Sequence, residues 1–365
     1  MSTRITAVLL AGLIATAWPA SAQTPAGDDP RSPGRERDRV EAQREAIQRS
    51  RERLRRVQNS ARQRRLLRQG QEVTESVSRT VRIGRDGSLD LRNIAGRVAV
   101  TGVNGDDVRI DAVKRVWHQN AERARELLKE LEVEVAEGAS RVDVRTRYPR
   151  QQSYDAEVDY TVSVPQDARV TLRVVSGDVV VSNLRGELTA EAVSGSVTAS
   201  SVGDVRMLRS VSGSVSVDGA TGSELMASTI GGTITVRRAK ARTMELRSVG
   251  GAMRVSDSES DRVAMRALSG DIEFSGRISR NGRYDIESRS GRVVVTPSGS
   301  DGFEVAAATR NGEFRSDFPL TLRERGSGPR RGGNQQVRQV YGRFGDGGGL
   351  LTLRSYSGGI TIERR

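Results

Sequence analysis

No cysteine occurs in the 365 residues. Disulfides, thiol nucleophiles, thiolate metal sites and a lipid-modified N-terminal cysteine are therefore excluded together. Histidine is limited to His118, and a lone imidazole lacks the partners that a catalytic triad or a zinc site requires. It stands just before a predicted helix, where a surface or capping role is expected. Aromatic residues make up only 4% of the chain, whereas glycine occurs 39 times. A core must then be assembled from Val, Ile, Leu, Met and Ala in a regular arrangement with many tight corners. That composition points to a β-solenoid rather than a β-sandwich.

Long apolar runs are scarce as well. The one near the start, Ile5 to Trp18, follows Arg4 and precedes Ala20-Ser21-Ala22. This is the pattern of a signal peptide over 1–22, with a mature chain beginning at Gln23. About 14 apolar residues fall short of the roughly 20 that span a bilayer. The expectation is export to the periplasm or the cell surface.

The net charge of +13 is unevenly distributed. Between Arg31 and Arg68 there are 14 arginines against five acids, and the rest of the chain is close to balanced. Residues 23–34 carry Pro25, Pro30 and Pro33 and form a flexible leader. Residues 35–70 form a basic arm, almost free of Pro and Gly, with partial helical character. Val40, Ile47, Leu54 and Ala61 recur every seven residues, but the companion row Gln43, Ser50, Val57 and Arg64 is mostly polar. Half a seam favours a solvated, conditionally helical arm over a stable coiled coil. Arg49, Arg51, Arg53, Arg55, Arg56, Arg62, Arg64 and Arg65 are its candidate contacts to anionic lipid, lipopolysaccharide or another anionic envelope polymer. The competing assignment is an inert solvated spacer. Nucleic acid is not an expected partner for an exported chain.

From Val73 onward period-two alternation takes over, in Val81–Ile83, Leu89–Leu91, Val98–Val100 and Val108–Ile110. A helix is predicted over 120–132, with Asn120 as N-cap and Ala124, Leu127, Leu128 and Leu131 on one face. A hairpin follows through Glu137-Gly138, then a strand from Tyr160 to Pro165. Residues 74–165 are expected to form an irregular N-terminal cap.

Residues 166–365 carry a repeat. Val193-Ser-Gly-Ser-Val-Thr-Ala199, Val211-Ser-Gly-Ser-Val-Ser-Val217 and Ile230-Gly-Gly-Thr-Ile-Thr-Val236 are three of its copies. The shared glycines are Gly177, Gly195, Gly213, Gly232, Gly251, Gly270, Gly291, Gly312 and Gly358, spaced 18, 18, 19, 19, 19, 21, 21 and 46 apart. Such a period defines a stacked-repeat architecture. Positions +2 and +4 from each glycine are apolar, as are most residues at −7 and −5, and position −3 is small. Each coil of about 19 residues therefore contributes two inward-facing strands, with glycine at the corner between them. Glycine is expected there because the corner requires φ > 0 or has no room for a side chain. The 46-residue gap holds a Gly/Arg-rich loop inserted near 323–349. The fold class is thus all-β, a single-domain β-solenoid with two strands per coil and one capping helix, preceded by the basic arm.

The Ser-Gly-x-Val/Ile-x-Val repeats, the helix segment Glu126-Leu-Leu-Lys-Glu130, the Tyr148-Pro149 turn and the Val164-Pro165 strand end together resemble the Toastrack family of bacterial putative-adhesin domains of unknown function. The resemblance covers about 75–365. It implies a β-solenoid of envelope proteins, tied to envelope stress or surface attachment, with no catalytic residues to carry over. The arm and the Arg-rich insertion lie outside the family pattern.

A carbohydrate-active β-helix enzyme is the competing reading, and it needs paired carboxylates. The candidates Asp178, Asp271 and Glu313, one residue after their glycines, are not on adjacent coils. Gly231-Gly232 and Gly250-Gly251 are not followed by Lys-Ser/Thr and are corners, not phosphate loops. The expectation is a non-enzymatic envelope scaffold, without cofactor or metal, whose rows of Ser, Thr and Arg bind a protein or a glycan. A self-assembling filament element is a third class.

Overall fold

A computed structural model describes Arg68 and residues 70–149, 154–299, 302–322 and 338–364. The expected signal peptide, leader and the arm arginines Arg49 to Arg65 lie outside the described residues, as does most of the inserted loop.

Two parallel sheets run through the stack, one made of the strands before each corner glycine and one of those after it. Along the upstream sheet the strands follow in the order Ser88–Ala95, Arg169–Ser176, Leu188–Ser194, Val205–Ser210 and the second half of Val215–Thr229. Lys240–Ser248, the ends of Met253–Ala267 and Ile272–Ser288, and Gly349–Ser355 continue it. Apart from local shifts beside Leu188, Val205, Val255 and Ser260, pairing is in register, so each inward residue sits on its equivalent in the next coil. The apolar residues at +2 and +4 are buried on every coil but the outermost, where Phe314 is half-buried, and those at −7 and −5 are buried where present. Burying one such Val, Ile or Leu contributes about 1.5–3 kcal/mol, which a single coil could not gain alone.

The spatial order departs from the chain order at both ends. The first coil is Ser88–Val103, with its own corner glycine, Gly96, and it sits inside the stack. Arg141–Arg147 and Asp155–Pro165 cover its outer side, while Arg169–Ser176 and Val179–Leu184 cover its inner side. At the far end, strands Gly349–Ser355 and Ile360–Ile362 lie between the coil at Gly291 and the coil at Gly312. In each case a long excursion supplies the outermost layer, and an antiparallel strand finishes it: Glu132–Glu137 on one end and Arg338–Phe344 on the other. Glu132–Glu137 and Phe314–Ser316 each pair on one side only, so the stack ends in short edge strands that depart from the repeat.

Aromatic residues are concentrated at these ends. Phe303, Phe318 and Phe344 form a cluster with centroids 4.9–5.3 Å apart over the last coil. At the first, Tyr148 and Tyr160 converge on Asn93 and Thr146. Helix Ala121–Glu130 buries Ala124, Leu127 and Leu128 and is capped by Asn120, whose Oδ1 accepts from the amides of Glu122 and Arg123. Its other end meets Lys114, a buried lysine whose Nζ donates to the carbonyl of Leu131 at 3.2 Å and pairs with Glu75 at 2.8 Å. A cation at a helix C-terminus offsets both the orphan carbonyls and the dipole.

Candidate functional site

The corner determines which side chains reach solvent. From Gly96 to Gly312 the corner glycines form one column, each placing its Cα against the carbonyl of its spatial neighbour. A Cβ on Gly232 would overlap the backbone of Gly213 and Ser214, and the other corner positions are similarly closed. Positive φ is confined to Gly96, Gly177 and Gly195 within the column. Space, rather than φ, is therefore the general reason for glycine.

The small residue at −3 has a specific task. The hydroxyls of Ser210, Thr229, Ser288 and Ser355 accept the amide hydrogen of their own corner glycine at 2.9–3.1 Å. Each also donates to the glycine carbonyl of the adjacent coil at 2.8–2.9 Å. All four are buried. A buried hydroxyl satisfied in both directions ties coil to coil where no side chain can pack.

Because −3 faces in, −2 must face out. That position is occupied by Ile94, Val175, Val193, Val211, Ile230, Val249 and Leu268 on seven successive coils. Six of these are 43–49% exposed, and Val211 is half-buried. Their backbones are already paired: Val249 N donates to Thr229 O at 3.2 Å, and Gly250 N donates to Ile230 O at 2.8 Å. The ridge therefore offers side chains and no free strand edge. Single exposed aliphatics are ordinary, but a continuous line of them is characteristic of an interaction surface. Sequence reasoning identified the motif that begins with these residues without assigning them a face. The signal was available, because two residues from glycine is one pleat step from the small −3 position.

Position −1 beside the ridge is Ser176, Ser194, Ser212, Gly231, Gly250 or Ser269, too small to shield it. On its other flank position −4 carries Glu191 and Ser228 on two of the seven coils and Arg92, Arg173, Arg209, Arg247 and Arg266 on the other five. Several of these lean on acids farther out, with Arg92 3.0 Å and Arg173 3.2 Å from Asp90 and Arg266 3.4 Å from Asp285. Burial works against ionisation of Asp90, yet the hydrogen bonds and charges of Arg92 and Arg173 outweigh it and hold the carboxyl below its ordinary range.

The remaining candidates have structural partners. Asp178 accepts from the amide of Ser196 at 2.8 Å, Asp271 from that of Arg292 at 2.8 Å, and Glu313 pairs with Arg315 at 2.8 Å. The intercalated coil moves Glu313 one layer farther from Asp271. His118 Nδ1 accepts from the amide of Asn120 at 3.0 Å beside the helix cap. Gly231-Gly232 and Gly250-Gly251 lie at corners. Arg68, at the end of the basic segment, holds Asp155 at 2.6 Å and Glu157 at 2.8 Å and covers the Trp117 ring. Among the described residues no group of three or more His, Cys, Asp or Glu is placed to hold a metal ion, and no helix is long and apolar enough to cross a membrane.

The profile of the Toastrack DUF4097 family matches residues 160–363, more than half of the chain, and the chain belongs to that family. Solved structures with a similar fold include a putative adhesin from Bacteroides fragilis NCTC 9343, 12% identical, covering 79% of this chain and 97% of that one with a TM-score of 0.39. Another is a putative adhesin from Parabacteroides merdae ATCC 43184, 8% identical, with coverages of 79% and 96% and a TM-score of 0.35. A putative cell adhesion protein from Clostridium sporogenes ATCC 15579 is 9% identical over 80% and 100% with a TM-score of 0.25. None superposes closely enough for its described role to bear on this chain. No match is found among curated proteins.

Proposed function

We propose that this is an exported, non-enzymatic protein of the cell envelope whose solenoid is a rigid binding scaffold. Its aliphatic ridge docks an envelope protein, and its basic arm holds it to an anionic surface. The observation that carries this reading is the seven-coil exposed line from Ile94 to Leu268 on a fold whose ends are capped. The arginine row beside the line favours a partner whose apolar face is rimmed by acids. It disfavours a second copy of this chain packed ridge to ridge, which would set arginine rows against each other.

The test is co-sedimentation of the full chain with isolated envelope fragments and with anionic vesicles, at low and high salt. A Val193→Ser, Ile230→Ser, Val249→Ser triple variant is expected to lose the salt-resistant fraction bound to envelope fragments. Replacing Arg49, Arg51, Arg53, Arg55 and Arg56 by Gln is expected to remove the salt-sensitive fraction bound to vesicles. Undiminished salt-resistant binding by the triple variant would overturn the role of the ridge.

A further inference from the structure

The ridge changes chemistry over its last three layers. In chain order its −2 residues there are Arg289, Arg310 and Tyr356, but the glycine column runs Gly291, Gly358, Gly312. The intercalated coil therefore places Tyr356 between two arginines that the sequence separates from it. The Arg310 guanidinium lies 4.9 Å from the centroid of the Tyr356 ring and donates to its hydroxyl, which fixes the fork. In the −4 row of the same layers stand Glu287, Arg354 and Ala308, and the alanine leaves room for a depression of about 500 Å³ bounded by these residues.

We infer that this cleft binds an acidic saccharide, a proposal that rests on the reading of the solenoid as a binding scaffold. Three guanidiniums face one carboxylate, so the ligand must be anionic. Arg354 is 3.7 Å from Asp285, a loose pair that leaves most of its donors available. Neither Arg289 nor Glu287 has a side-chain hydrogen bond or ion pair to any described residue, so both are available to a ligand. Arginine presents paired donors matched to carboxylate or sulfate. Glu287 only accepts, so the ligand must also donate hydroxyl hydrogens. A bare inorganic anion has no such donors, and a hydrocarbon chain has neither group. A sugar bearing carboxylates or sulfates has both, and the cleft volume lies in the range of small-ligand sites. The seven preceding layers, aliphatic at −2, show that cations at this position are not a habit of the repeat.

Isothermal titration of the full chain with trigalacturonate and a sulfated disaccharide, with maltotriose and inorganic phosphate as comparators, tests the inference. The expected result is binding of at least one acidic sugar and neither comparator. An Arg289→Ala, Arg310→Ala double variant should lose about tenfold or more in affinity, the scale of charge-assisted hydrogen bonds. Glu287→Ala should lose several-fold, and Arg125→Ala, on the exposed face of helix Ala121–Glu130, nothing; thermal unfolding of each variant confirms its fold. Equal affinity for maltotriose or phosphate would overturn the proposal. So would indifference to the double variant, or binding abolished only by the Arg-to-Gln arm variant. The residues tested differ from those of the ridge experiment, so either idea can fail alone.

Discussion

Every coil turns twice, and the two turns obey different rules. At the glycine corner the neighbouring backbone occupies the place of a side chain, so the requirement is absolute and repeats from Gly96 to Gly312. At the opposite turn, six residues on, the backbone enters the left-handed region at Asn183, Ser201, Gly219, Arg238 and Asp257, with φ between 51° and 73°. At Gly219 space is open, and a Cβ would come no closer than 3.7 Å to any neighbour, whereas at the equivalent Gly102 and Gly276, which lack positive φ, it would meet backbone oxygens at 2.0 and 2.5 Å. The glycine corner is set by exclusion, and on the five coils with positive φ the second corner is set by conformational preference. Exclusion leaves a single residue type in the sequence, whereas preference leaves a mixture.

The sharpest way to break this comparison is Gly232→Ala. It should cost about 3 kcal/mol or more, because the overlapped atoms are backbone and cannot rotate away. A shift in urea midpoint no larger than that of Gly219→Ala, expected near 1 kcal/mol, would refute the distinction.

The next test concerns the first coil, where Asn93 stands in for the −3 hydroxyl. Its Nδ2 donates to Val158 O at 2.8 Å, and Thr146 links it to Tyr160. Burial pushes the Tyr160 phenol up to about 12, against the opposing effect of its hydrogen bond with Thr146. With a folded value above the unfolded one of about 10, the neutral ring stabilises the fold fully below pH 10. That contribution, about 2 kcal/mol, is lost as pH rises through 12. Tyr160→Phe should flatten stability against pH in that window, and an unchanged alkaline slope would show that the phenol is not coupled to folding.

The smallest effect has the opposite sign. Ser201→Gly should raise stability by about 1 kcal/mol, by removing a Cβ from a left-handed residue. A destabilised variant would mean that the serine side chain makes a contribution the geometry does not reveal.

These rules also explain what was legible in the sequence. The period, the corner glycines from Gly177 to Gly358 and the inward positions followed from exclusion and alternation, and the helix from its Asn120 cap. Gly96 escaped because Asn93 replaces the small −3 residue and a long excursion separates its coil from the next. The second corner escaped because Asn, Ser, Gly, Arg and Asp share no composition signal. The order Gly291, Gly358, Gly312 could not be read from spacing, since a gap of 46 residues is equally compatible with a loop in a sequential stack. The Arg289–Tyr356–Arg310 grouping was hidden for the same reason.

That interleaving also governs when the domain can become whole. Residues 349–362 are synthesised after 303–316 yet lie beneath them, so the outermost layer has no surface to rest on until the later segment arrives. A chain cut short at Gly348 would lack an interior layer rather than a tip. The Phe303, Phe318 and Phe344 cluster would then cover a missing layer, and the edge of residues 283–288 would be left unpaired. Completion therefore acts as a check on length, in which only a chain that continues past Ile362 can close the stack.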